Sequence, residues 1–78
     1  MDNKFLVTKI GDLYFYKWSN CNVTNITYEK PTKKNYNTDE LIDIDCFTCY
    51  DTIDTEEKLR KHAKEWIEYE KEANGGVF

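Results

Sequence analysis

Three cysteines, one histidine and a run of carboxylates are the residues of this 78-residue chain with chemistry to offer. Cys46 and Cys49 form a C-x-x-C pair, and Cys21 and His62 bring the candidate zinc ligands to four. The spacing is unlike a zinc knuckle: the usual flanking proline and glycine are missing, and on a strand residues three apart point to opposite faces. A redox dithiol needs its first cysteine at a helix N-terminus in positive surroundings, whereas Asp45 and Asp51 flank this pair. Three thiols are an odd number and close no disulfide framework within one chain. Reduced thiols follow, with Cys46 as a small core residue and no bound metal.

The carboxylates carry more. Residues 35–57 hold eight (Asp39, Glu40, Asp43, Asp45, Asp51, Asp54, Glu56 and Glu57) and not one lysine or arginine. The flanking segments are mildly basic, so the overall charge of −4 conceals how acidic the middle is. Carboxylates at i and i+2 of a strand project about 6.8 Å apart, and duplex DNA carries a phosphate every ~3.4 Å along each strand. An acidic strand can therefore imitate a sparse phosphate track and enter a groove where lysines and arginines await nucleic acid. Charge on an edge strand also discourages sheet-to-sheet aggregation, and acids at a helix start favour its dipole. Asp54, Glu56 and Glu57 are explained that way; Asp43, Asp45 and Asp51 are not.

Other chemistries find less support. Asp43 and Asp45 form a D-x-D that could hold magnesium, but there is no glycine loop to cradle a phosphate. His62 has no second histidine and no obvious nucleophile beside it in the sequence, so it reads as a packed imidazole, and the chain is not expected to be an enzyme. Lys30, Lys33 and Lys34, with Tyr28 and Tyr36, mix cations and aromatics as single-strand nucleic-acid binders do. Three lysines beside so acidic a neighbour are too few, and direct nucleic-acid binding is the weaker alternative. Asn22 and Asn25 each begin a glycosylation pattern, which means nothing without a secretory signal.

The elements that must position these residues follow from the pattern. Lys4–Ile10 and Leu13–Trp18 are rich in β-formers and joined by Gly11 and Asp12, a favoured two-residue turn. Pairing Ile10 with Leu13 puts Leu6, Thr8, Ile10, Leu13, Phe15 and Lys17 on one face, and Phe5, Val7, Lys9, Tyr14, Tyr16 and Trp18 on the other. The first face suits the core; Tyr14, Tyr16 and Trp18 form an aromatic patch available to a partner. Val23–Glu29 is a third strand whose imperfect alternation calls for a bulge or an edge position. Residues 30–37 read as a basic loop, with a short helical turn at Thr38–Leu41 capped by Asn37 or Thr38. Leu41–Asp51 is a fourth strand, with Ile42, Ile44, Cys46 and Tyr50 on one side and Asp43, Asp45, Phe47, Cys49 and Asp51 on the other.

Asp54 is the expected N-cap of the last element, with Glu57 completing a capping-box variant. Glu56 with Arg60 and Glu57 with Lys61 are favourable i,i+4 pairs. Leu59, Ala63, Trp66, Ile67 and Ala73 make one apolar stripe, Glu70 falls within it and peels the last turn away, and Gly75 and Gly76 end the helix. The expected fold is α+β: a three- to four-stranded antiparallel sheet with one long C-terminal helix on one face, in a single domain over residues 1–78.

Twelve aromatics and a 40% apolar composition argue for a packed core. No stretch approaches a membrane span or a secretory signal, so a soluble, cytoplasmic monomer or homodimer is expected. In shortness, acidity and its abundance of Asn, Lys, Tyr and Ile, the chain resembles the small accessory proteins of phages and mobile elements, anti-CRISPR proteins among them. That resemblance implies an inhibitor of host nucleic-acid machinery working in the host cytoplasm, and assigns no residue a role. The functional expectation is a binding protein, a DNA mimic in effect. It would occlude a partner's basic groove with Asp39, Glu40, Asp43, Asp45 and Asp51, with Tyr14, Tyr16 and Trp18 as a second patch. A zinc-stabilised module built on Cys21, Cys46, Cys49 and His62 is the alternative.

Overall fold

The computed structural model describes residues 3–73. Its first unit is the expected hairpin, β1 (Phe5–Ile10) and β2 (Leu13–Trp18), in the anticipated register, with Ile10 opposite Leu13 and Phe5 opposite Trp18. Gly11 takes φ +61° while Asp12 does not turn positive, the pattern of a turn with glycine at its first central position. β3 (Val23–Thr27) adds to β2, and β4 (Asp43–Thr48) adds to β3. The sheet is an antiparallel meander in the order β1-β2-β3-β4, so β3 is interior and β4 is an edge.

The irregularity anticipated for β3 is not there: β3 is an interior strand, and the bulge in its ladder with β4 has its extra residue on β4. Ile26 pairs with Asp45, but the next residue, Thr27, pairs with Asp43, which leaves Ile44 over. Because strand side chains alternate, one extra residue exchanges the faces of everything before it.

α2 (Glu56–Ala73) lies across β1 and β2. Leu6, Leu13, Phe15, Ile26, Ile53, Leu59 and Ala63 are buried together beneath it, so the aliphatic hairpin face is the core face as expected. Trp66 carries the core toward the sheet's far edge. It stacks on Phe47 with centroids 6.2 Å apart and meets Phe15 edge-on at 5.8 Å. Ala73 departs from the expected stripe and is exposed; Gly75 and Gly76 lie outside the described residues.

Local details of α2 also differ. Its cap is Thr55, whose hydroxyl accepts the Lys58 N–H at 3.2 Å, while Asp54 forms a 2.9 Å ion pair with Lys58. Arg60 does not serve a partner on its own helix; its guanidinium donates to Thr8 Oγ1 and the Lys9 carbonyl, tying α2 to β1.

The segment read as a basic loop contains a helix, α1 (Lys33–Asn37). Thr32 caps it in a full capping box, its hydroxyl accepting the Asn35 N–H while the Asn35 side chain accepts the Thr32 N–H. The turn expected at Thr38–Leu41 is instead the end of this helix. Asp39 adopts φ +61°, the Asp39 N–H donates to the Tyr36 carbonyl, and the Glu40 N–H to the Asn35 carbonyl. These are the two bonds of a Schellman motif.

Candidate functional site

The bulge at Ile44 divides the acidic strand. Asp45, opposite Ile26, stays on the core side with Phe47; Asp43, opposite Thr27, turns to the outer face. The expectation that Asp43 and Asp45 share a face is therefore corrected, and the reason is the single extra residue between their pairing partners. Phe47 and Cys49 do pack against the core, while Cys46 is exposed rather than a core residue.

On the outer face Asp43 joins the aromatic patch. The Tyr16 hydroxyl donates to Asp43 Oδ1 at 2.6 Å, and α1 brings Tyr36 over the same surface. The Tyr36 ring lies 5.8 Å from Phe5, 6.1 Å from Tyr16 and 5.7 Å from Trp18. Tyr16 is consequently buried, with 3% of its surface exposed, and is no free anchor. Burial first, and then the bond to Asp43, hold its hydroxyl protonated well above the ordinary tyrosine range. Tyr14 and Trp18 are half-buried, and the Lys9 ammonium sits 5.3 Å from the centre of the Tyr14 ring. A shallow cleft lined by Tyr16, Asn25, Tyr36, Asp39, Leu41 and Asp43 lies beside this cluster.

The β4 edge is open by contrast. Asp43, Ile44, Asp45, Cys46 and Thr48 are all exposed, and only Phe47 is half-buried. Ile42, Ile44 and Tyr50 show 71%, 43% and 94% of their surface; Ile44 is on β4, Ile42 and Tyr50 lie just outside it, and each is next in the chain to an acid, Asp43, Asp45 or Asp51. Exposed single apolar residues are ordinary, whereas three about one unpaired strand edge offer it apolar contacts. Asp39 and Glu40 are exposed as well, in the turn that leads from α1 toward this edge. Simple alternation puts Ile42, Ile44 and Tyr50 on one side of the strand; the packing of Phe47 and Cys49 against the core leaves all three exposed.

The cysteines divide too. Cys49 and His62 meet, Sγ to Nδ1 at 3.5 Å, and Asp51 joins them, whereas Cys46 projects from the other face of β4. Lys17 is buried on the core face, where its ammonium donates to the Ile53 carbonyl at 2.6 Å. Burial lowers its pKa, a shift opposed by the nearby Cys21, Cys49 and Asp54. Among the described residues, no helix is long and apolar enough to cross a membrane.

Comparison with protein-family models, with curated proteins and with solved structures found no match to this chain.

Proposed function

We propose that this chain is a small binding protein that docks through the β4 edge onto a basic, nucleic-acid-handling partner and inhibits it by occlusion, without turnover. The observation that carries the reading is the exposure of Ile44 on the unpaired β4 edge, and of Ile42 and Tyr50 just outside its ends, together with Asp43 and Asp45 on the strand itself. Charge and a bulge blunt an edge against aggregation, but they do not call for exposed apolar side chains. Apolar side chains interleaved with carboxylates, beside free backbone donors and acceptors, suit a partner that adds contacts to the edge. The absence of any lysine or arginine from residues 35–57 makes a basic surface the complementary one, and charge of one sign steers such an encounter. Asp39 and Glu40 extend the negative surface, and Asp51 continues it past the end of β4. The resemblance in composition to phage accessory proteins favours host nucleic-acid machinery, anti-CRISPR activity included, as the class of target.

The test is capture from a lysate of the native host on immobilised protein, eluted by a salt gradient. Wild type is expected to retain a basic partner that leaves as salt rises, and Asp39→Asn/Glu40→Gln/Asp45→Asn to release it at lower salt. Equal retention and an equal salt profile for the two proteins would rule out the acidic edge as the interface.

A further inference from the structure

We infer that Cys49, Asp51 and His62 form a binding site for a divalent transition-metal ion of the zinc class. The site goes beyond the proposed docking edge and does not depend on it. The cluster is assembled from two elements. Cys49 follows β4 and is fixed there by its backbone N–H, which donates to the Asn22 carbonyl at 2.9 Å. His62 stands on α2, on the side facing Cys49. The His62 side chain is only 17% exposed, so its ring is held in place by packing.

The distances suit a shared ion. One ligand atom from each of Cys49, Asp51 and His62 lies within 4.8 Å of the others, and Cys49 Sγ is 3.5 Å from His62 Nδ1. With metal–sulfur and metal–nitrogen bonds of about 2.3 and 2.05 Å, the sulfur–nitrogen edge of a tetrahedron is about 3.6 Å, so thiol and imidazole already stand at their bound separation. Asp51 Oδ2 lies 3.9 Å from the other ring nitrogen, Nε2, beyond hydrogen-bond reach, so the carboxylate is not spent on the imidazole. Its side chain is largely exposed and turns onto an ion without repacking. Thiolate, imidazole and carboxylate together select zinc and its neighbours over magnesium or calcium. The remaining position opens to solvent and takes a water.

The same trio has the order of a nucleophile, base and orienting acid. Nucleophilic catalysis, however, calls for a substrate cleft and oxyanion donors, and the clefts at the β1–β2 turn and beside Tyr36 contain neither Cys49 nor His62.

Titration of the full chain with Co²⁺ tests the site through the thiolate-to-cobalt charge-transfer band. One equivalent is expected to bind and to be displaced by Zn²⁺. Cys49→Ser abolishes the band, Asp51→Asn weakens binding, and Cys21→Ser/Cys46→Ser leaves it intact. Wild type loaded with ¹¹³Cd²⁺ provides a reading that needs no variant: a shift in the range of a single-thiolate site, with the His62 ring resonances perturbed. No cobalt band in wild type, a band that survives Cys49→Ser, or a band lost with Cys21 and Cys46 would each overturn the assignment. The docking variants at Asp39, Glu40 and Asp45 spare every ligand, so either conclusion stands or falls without the other.

Discussion

Tyr16 and Lys17 are neighbours in β2, and each anchors its polar end on a different side of the sheet. The Tyr16 hydroxyl donates to Asp43 at 2.6 Å on the outer face, and the Lys17 ammonium donates to the Ile53 carbonyl at 2.6 Å on the core face. Two consecutive residues of an inner strand thus hold the start of β4 and the connection into α2.

The two anchors respond to alkali in opposite ways. Tyr16 has a raised pKa in the folded protein, so its contribution is complete below the unfolded tyrosine value of about 10 and is lost as pH climbs through the folded value. Lys17 has a lowered one: the folded state releases that proton before the unfolded state does, and stability gains between the folded value and about 10.4. Tyr16→Phe is expected to cost ~1 kcal/mol at neutral pH, the worth of a typical hydrogen bond. Urea unfolding from neutrality to about pH 11 is expected to show that deficit shrinking above about pH 10. A deficit that stays constant would contradict the role given to the Tyr16 hydroxyl.

Thr24 is fully buried on the core face opposite Phe47, and among the described residues its hydroxyl has no hydrogen-bond partner. A buried polar group left unpaired costs about 1–3 kcal/mol, and valine has nearly the same shape. Thr24→Val is therefore expected to stabilise by ~1 kcal/mol, a rise in melting temperature of about 4–8 °C for a domain of this size. A lower melting temperature would show that the hydroxyl is satisfied.

Asp39 occupies the left-handed position that ends α1, where glycine carries no steric penalty. Relief of roughly 1 kcal/mol is expected for Asp39→Gly, read as a higher urea midpoint with an unchanged slope. The opposite change, Thr32→Ala, removes the capping box and is expected to cost ~1 kcal/mol. Since α1 places Tyr36 against Trp18, it is also expected to alter tryptophan fluorescence.

The parts of the fold that were legible in the sequence are those with a local cause. Gly11 and Asp12 set the hairpin register, and Leu59, Ala63, Trp66 and Ile67 set the buried stripe of α2. α1 went unread because five residues are too few to show a helical period; its capping pair, Thr32 and Asn35, was the available signal. Asp54 was the plausible cap by residue type, but Thr55 stands one residue nearer and leaves Asp54 to Lys58. The bulge has no local signature at Ile44. It follows from the need to pack Phe47 against Trp66 while Asp43 reaches Tyr16, two contacts that lie far apart in the chain. For the same reason Cys49 and His62, thirteen residues apart, could be named as candidate ligands but not matched with Asp51.

The proposed role of the β4 edge is to exclude nucleic acid from a basic partner. The direct measurement is displacement: the captured partner is loaded with labelled nucleic acid, and this protein is added at increasing concentration. Wild type is expected to release the label, with Ile44→Lys weakened at least about 10-fold, because a charge of the wrong sign stands where an apolar contact forms. Retention of the label at saturating wild-type protein, or equal release by Ile44→Lys, would contradict the account.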